Sequence, residues 1–112
     1  LFTQSGKKHY NEKDLLDLIK EIQNNGSGEL IINSVDRDGT MSGYNLDYIE
    51  NFYKIISTPL TLLGGAGELN HFLEVKEKIQ ISGLAAGSFF IYKSKKKGVL
   101  INYPNKKEIF KL

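Results

Sequence analysis

The sequence has no cysteine among its 112 residues. That excludes disulfides and thiolate metal sites, and it fits a reducing, cytoplasmic setting. Net charge is also scarce: 15 Lys and Arg against 13 Asp and Glu leave +2. So slight an excess gives no footprint for nucleic acid or for a membrane surface. No stretch approaches the run of about 20 apolar residues that a membrane span needs. The first residues, Leu1-Phe2-Thr3-Gln4-Ser5-Gly6-Lys7-Lys8, lack an initiator Met and the build of a signal peptide. The missing Met leads to the expectation that residues precede them. His9 and His71 have no companion ligands at metal spacing, so no metal site is expected, and both are assigned surface or helix-face roles. What is present, 40% apolar and 25% charged residues, suffices for one small domain with a core.

Residues 12–25 carry a helical stripe of Leu15, Leu18, Ile19 and Ile22, with Asn11 to cap it and Asp14 in its first turn. The segment Asn24-Asn25-Gly26-Ser27-Gly28 ends it. Glu29 to Val35 is apolar and rich in β-branched residues without clean alternation, which suits a strand covered on both faces. The pattern then repeats. A polar loop from Asp36 to Gly43 precedes a helix near 45–57, with Leu46, Ile49, Tyr53 and Ile56 on one face. Pro59 to Leu63 reads as a second strand, Gly64-Gly65-Ala66-Gly67 as a loop, and 68–79 as a helix facing inward through Leu69, Phe72 and Leu73. Ser82 to Gly87 reads as a third strand of small residues, ending at Ser88, which is placed to cap a short helix from Phe89 to Tyr92. Strands and helices alternating at this spacing predict βαβ units and a parallel sheet, an α/β fold. Three strands are too few for an independent barrel and leave two open edges. After residue 92 the pattern breaks. Lys93 to Lys97 is a basic run, and Val99 to Pro104 reads as an added strand or an extended tail. Without a platform of stacking aromatics the basic run reads as a solvated loop rather than an RNA site.

Chemistry concentrates at the three strand ends. In Asp36-Arg37-Asp38-Gly39-Thr40, two carboxylates flank an arginine, and the glycine allows a ligand close to the backbone. The plainer reading is a turn in which Asp caps the next helix. In Gly64-Gly65-Ala66-Gly67, backbone N–H groups are free to face an anion ahead of a helix N-terminus, or the loop is a tight turn with no ligand. Ala86-Gly87-Ser88 suits a phosphate site built by the last loops of a barrel. Each signal is ordinary alone, and their succession at three strand ends favours a ligand-binding role.

Three stretches carry a family resemblance: Thr3-Gln4-Ser5-Gly6-Lys7-Lys8; Gly28-Glu29 leading to Ser34-Val35-Asp36-Arg37-Asp38-Gly39-Thr40-Met41-Ser42-Gly43-Tyr44; and Gly64-Gly65-Ala66-Gly67. Over residues 1–92 the chain resembles the cyclase subunit of imidazole glycerol phosphate synthase. A sister isomerase of histidine biosynthesis shares the glycine loops, but its matching loop usually lacks the threonine found here as Thr40. The resemblance implies the C-terminal half of a (β/α)8 TIM barrel of the ribulose-phosphate-binding type over residues 1–92. A basic loop and tail then occupy 93–112. It further implies a lyase that uses ammonia from a glutaminase partner to form imidazole glycerol phosphate and aminoimidazole carboxamide ribotide in histidine biosynthesis. No cofactor is implied.

By position, Gly39, Gly64, Gly65, Ala86 and Gly87 supply a phosphate site, with Ser88 helping through its hydroxyl or N–H. Asp38, Thr3 and Ser5 lie beside the phosphorylated ribotide substrate, and Glu29, at the opposite face, belongs to a ring of charges gating ammonia. The plain alternative for Glu29 is a solvated carboxylate at a strand edge. The family's two acid and base aspartates, on the first and fifth strands, have no counterpart among these residues, so the chain alone is expected to be inactive and to need the N-terminal half of the barrel. Leu63 stands where a serine often precedes the paired glycines. Ala86-Gly87-Ser88 also differs slightly from the small-residue run common in histidine-pathway members. The tail from Val99 to Pro104 resembles cyclase-like relatives thought to supply ammonia for amidation of a bacterial surface sugar. Those features keep that role, and a non-catalytic phosphate-binding half-barrel, as alternatives.

Overall fold

A helix, α1 (Glu12–Asn24), forms where the apolar stripe predicts it, and it buries Leu15 and Ile19 while Leu18 and Ile22 are half-buried. The computed structural model describes residues 2–3, 8–9, 12–92, 98–101, 103–109 and 111, with side chains from residue 14 onward. The cap expected at Asn11 and the basic run from Lys93 to Lys97 lie outside the described residues. Ahead of α1, β1 (Phe2–Thr3) and β2 (Lys8–His9) pair antiparallel, a hairpin that the residue pattern did not signal.

Three strands follow in a parallel sheet: β3 (Leu30–Asn33), β4 (Leu60–Leu63) and β5 (Gly83–Ala85), in that order. Leu30 pairs with Leu60 and Asn33 with Leu63, and Leu63 in turn pairs with Ala85. Paired residues in such a ladder face the same side. The row Ile32–Leu62–Leu84 and the pair Leu30–Leu60 turn toward the helices. The rows Ile31–Thr61–Gly83 and Asn33–Leu63–Ala85 turn the other way.

The sequence reading of a strand covered on both faces is corrected at β3. Ile31 is 65% exposed, and Asn33 and Val35 are exposed too. The described helices pack on the Leu30 and Leu62 face, so the apolar character of Ile31 answers to no described neighbour. Full burial of such a side chain is worth about 1.5–3 kcal/mol, and that gain is not realised here.

Two helical segments join β3 to β4 where one was expected over 45–57. Helix α2 (Leu46–Glu50) ends early, and a 3-10 turn covers Tyr53–Ile55. Between them the N–H of Phe52 donates to the carbonyl of Ile49 at 3.1 Å, an i−3 bond that tightens the chain and turns the Phe52 ring into the core, 0% exposed. A staple then ties this region to α1: Gln23 Oε1 accepts the backbone N–H groups of Ser57 (2.6 Å) and Thr58 (3.2 Å), and its Nε2 donates to the carbonyl of Ile55 (3.1 Å). Helix α3 (Leu69–Lys78) buries Phe72 and Val75, with Ile79 buried just beyond it, while Leu69 and Leu73 are only half-buried. Phe72 and Leu69 pack on the core as expected, and Val75 takes the inward place expected of Leu73.

After β5 a short helix, α4 (Ser88–Ile91), begins at Ser88 itself, with Gly87 at its cap position and no capping side chain. The expected capping role of Ser88 is thus not found. Among the described residues the tail adds no full strand. One antiparallel bridge joins Tyr92 to Val99, Tyr103 stacks on Phe90, and a last short helix, α5 (Lys106–Ile109), follows.

Candidate functional site

Because β3, β4 and β5 are parallel, their C-terminal ends share one edge of the sheet, and the loops at 34–45, 64–68 and 86–87 all leave from it. The first loop folds on itself. The N–H groups of Arg37 and Asp38 donate to the carbonyl of Ser34 (3.0 and 2.9 Å), and the Thr40 hydroxyl donates to the carbonyl of Arg37 (2.7 Å). Thr40 and Ser42 share a further hydroxyl–hydroxyl bond of 2.7 Å. Gly39 and Met41 take positive φ of 75° and 56°, which reverses the chain toward Gly43.

The second loop is bolted to the first. The N–H of Ser34 donates to the carbonyl of Leu63 (2.9 Å), and the N–H of Gly43 donates to the carbonyl of Gly65 (2.8 Å). Gly64 and Gly65 have φ of 99° and 108°. A Cβ on Gly64 would stand 2.7 Å from both Asn33 Oδ1 and the carbonyl oxygen of Ser34, and one on Gly65 would overlap the Gly43 carbonyl. A Cβ on Gly67 would stand 2.5 Å from that of Met41. Glycine is therefore required at these places by loop packing, whatever else the loop does. Gly87 differs, since an added Cβ there meets nothing within 4 Å.

The third loop is reached from the first by Tyr44, whose hydroxyl donates to the carbonyl of Ala85 at 2.8 Å. The ring packs edge-on against Phe72, and burial pushes the phenol well above its ordinary pKa, so it stays a neutral donor. Tyr44 thus ties the end of β5 to the loop after β3, across β4.

The sequence-derived candidates fall into three groups. Gly64, Gly65 and the Gly39 loop are joined directly, and Ala86 and Gly87 follow the Ala85 carbonyl that Tyr44 holds. Asp36 and Asp38 are exposed at the rim, while Arg37 is half-buried with Nη1 3.4 Å from the Ser42 carbonyl. Glu29 is exposed at the opposite end of the strands, and its Oε1 accepts the Thr61 hydroxyl at 2.6 Å. Thr3 lies in the β1–β2 hairpin, and Ser5 lies outside the described residues.

Two residues gain roles here beyond those read from the sequence. Tyr44 is one. The other is His71, only 13% exposed, whose Nδ1 accepts the N–H of Gly67 at 3.1 Å. It is therefore no plain surface histidine. Its signal was its place at the third position of a helix, where a side chain reaching back to the N-terminus is common.

A family model described as histidine biosynthesis protein matches residues 1–96. The chain belongs to this family. Among similar proteins, one named imidazole glycerol phosphate synthase subunit HisF in Leptospira borgpetersenii is 52% identical over 93 residues, which cover 83% of this chain and 37% of that protein. A Vibrio vulnificus subunit hisF3 is 41% identical over 107 residues, covering 96% of this chain and 41% of the relative. A Streptococcus sanguinis subunit HisF is 40% identical over 88 residues, covering 79% and 35%. The chain thus spans well under half the length of these histidine biosynthesis relatives. No described helix is long and apolar enough to cross a membrane.

Proposed function

We propose that this chain is the C-terminal half of a (β/α)8 barrel and forms part of the cyclase subunit of imidazole glycerol phosphate synthase, a lyase. The observation that carries this reading is the 52% identity to a subunit HisF over 93 residues. The architecture is consistent with it: a parallel sheet has helices on one face and an open apolar residue, Ile31, on the other. In a closed barrel the remaining strands would cover that face and both edges. Residues 1–92 belong to the half-barrel in this proposal, and 93–112 to a tail. The family relatives' names give no support to the sugar-amidation alternative.

In this reading the loops at the C-terminal ends hold one phosphate of a ribotide substrate through the backbone N–H groups of Gly39, Gly64, Gly65, Ala86 and Gly87, with Ser88 assisting. Hydrogen bonds to a charged group are worth about 1.5–3 kcal/mol each, so a few suffice to anchor the substrate. Asp38 at the loop rim lies beside the bound ribotide, and Thr3 and Ser5 approach it from the N-terminal segment. Glu29 stands at the other end of the strands, where ammonia from a glutaminase subunit would enter. The Thr61 hydroxyl holds its carboxylate at the strand end. General acid and base aspartates come from the first and fifth barrel strands, outside these residues, and their share of such catalysis is on the order of 10²–10⁴-fold.

The test is an ammonia-dependent assay of imidazole glycerol phosphate formation, run on the full-length protein and on residues 1–112 alone. Turnover by the full-length protein and none by the isolated chain is expected. An inactive full-length protein would remove the cyclase assignment. Full activity in the isolated chain would remove the half-barrel.

A further inference from the structure

His71 sits where two of the three loops meet. It is the third residue of α3, the position from which a Glu or Gln side chain commonly reaches back to the N–H of the cap residue. Here the imidazole reaches one residue further. Its Nδ1 accepts the N–H of Gly67, the residue before the cap residue Glu68, at 3.1 Å. Its Nε2 lies 3.4 Å from Oε1 of Glu68. An accepting Nδ1 requires the proton on Nε2 in the neutral ring, and that proton faces the Glu68 carboxylate, so both ring nitrogens are used in one tautomer. The ring edge also lies against the first loop: a Cβ on Gly43 would stand 3.4 Å from His71 Cδ2. Gly43 in turn donates its N–H to the carbonyl of Gly65.

His71 therefore fixes the Ala66–Gly67 peptide from one side, while Gly43 fixes the Gly65 carbonyl from the other. With the N–H of Gly67 turned back toward α3, that group is withdrawn from any ligand. The anion-facing work of the loop falls to the residues before it. We propose that His71 is a positioning residue that sets the geometry of the glycine loop for phosphate, acting through Gly67 and not by contact with the ligand. The proposal rests on the reading of Gly64 and Gly65 as a phosphate site, and it adds the residue that orients them.

The experiment uses the full-length protein, its His71→Leu and His71→Asn variants, and inorganic phosphate as the probe. Asn places an accepting Oδ1 at the same branch of the side chain as the histidine Nδ1, and Leu places none. Three quantities are read: the ring nitrogen shifts of His71, hydrogen exchange at the Gly67 amide, and phosphate affinity by titration. In the wild type, a bare Nδ1 and a protonated Nε2 are expected, with a protected Gly67 amide. In His71→Leu, Gly67 exchange should quicken and phosphate affinity fall, each by about 3- to 10-fold, the change one neutral hydrogen bond supports. His71→Asn should recover most of both losses.

A ring proton on Nδ1, an unprotected Gly67 amide in the wild type, or equal phosphate affinity in all three proteins would overturn the proposal. So would a loss in His71→Leu that Asn does not restore, because that points to general destabilisation. If the wild type binds no phosphate, the phosphate-site reading falls, and the nitrogen shifts and the Gly67 amide still decide whether the clamp exists.

Discussion

The sharpest prediction concerns Gly65→Ala set against Gly87→Ala. At Gly65 the φ of 108° lies outside the range that L side chains adopt readily, which costs about 1–2 kcal/mol. The new Cβ would overlap the Gly43 carbonyl, so the two loops must part, at about 1–3 kcal/mol for forced backbone shifts. Parting them breaks the 2.8 Å bond from the Gly43 N–H to the Gly65 carbonyl, worth about 0.5–1.5 kcal/mol. These terms overlap, because one movement relieves strain and breaks the bond together, so a loss of about 3 kcal/mol is expected. That is a large part of the 5–15 kcal/mol typical of a whole domain. At Gly87 the φ is −105° and an added Cβ meets nothing, so the same substitution should change stability by less than about 1 kcal/mol. Urea unfolding of the two variants beside the wild type, at one protein concentration and with m-values compared, measures both. If Gly65→Ala unfolds at the wild-type midpoint, the loop clamp is not what holds these strand ends together. If Gly87→Ala is the more damaging of the two, the steric reasoning is wrong at both positions.

Tyr44→Phe should cost about 1 kcal/mol in unfolding experiments, since it leaves the Ala85 carbonyl without its partner. The Tyr44 phenol has a raised pKa when folded, so its contribution is fully present below the unfolded value of about 10 and is lost as pH rises past it. The wild type should therefore lose stability in strong alkali more steeply than Tyr44→Phe, as thermal melts at a series of alkaline pH values would report. Gln23→Ala removes the acceptor for the Ser57 and Thr58 amides and should lower stability by about 1–2 kcal/mol, with faster hydrogen exchange confined to those two amides and their neighbours. The isolated chain should self-associate through its open sheet face, and Ile31→Lys should shift sedimentation toward the monomer; a sharp, concentration-independent monomer in the unsubstituted chain would contradict the open-face account.

Most elements were legible because local patterns carried them. The stripe of Leu15, Leu18, Ile19 and Ile22 needs only helical periodicity, and the order of strand, loop and helix follows from glycine placement. Boundaries failed where a distant contact decides. The helical pattern runs unbroken over 45–57, but the chain tightens at Phe52, whose ring is fully buried in the core. At β3 the apolar run was read as doubly covered. A run records how apolar a strand is and not whether both covering layers are present, and Ile31 shows the difference. At the site, the glycines themselves were visible, but the reason for them was not. Gly64 and Gly65 are needed because Asn33 at the end of β3, and Ser34 and Gly43 in the loop after it, press on them. The bonds that Tyr44 and His71 make were not foreseen, because a tyrosine bonded 41 residues away and a histidine serving a neighbouring peptide leave no periodic trace.

The bond from Tyr44 to Ala85 also bears on the order in which the molecule acquires its shape. It closes a span of 41 residues that contains β4 and α3 in full. Contacts of such separation are reached slowly, because chain freedom is given up before they return anything, and parallel strands add to the delay. The loop after β3 can curl early through its own Ser34 and Thr40 bonds. Its far end gains its tether only once β5 has docked beside β4. A polypeptide still emerging from the ribosome and not yet past residue 85 therefore has the loop without the anchor. The end of β5 completes a contact with the loop that follows β3.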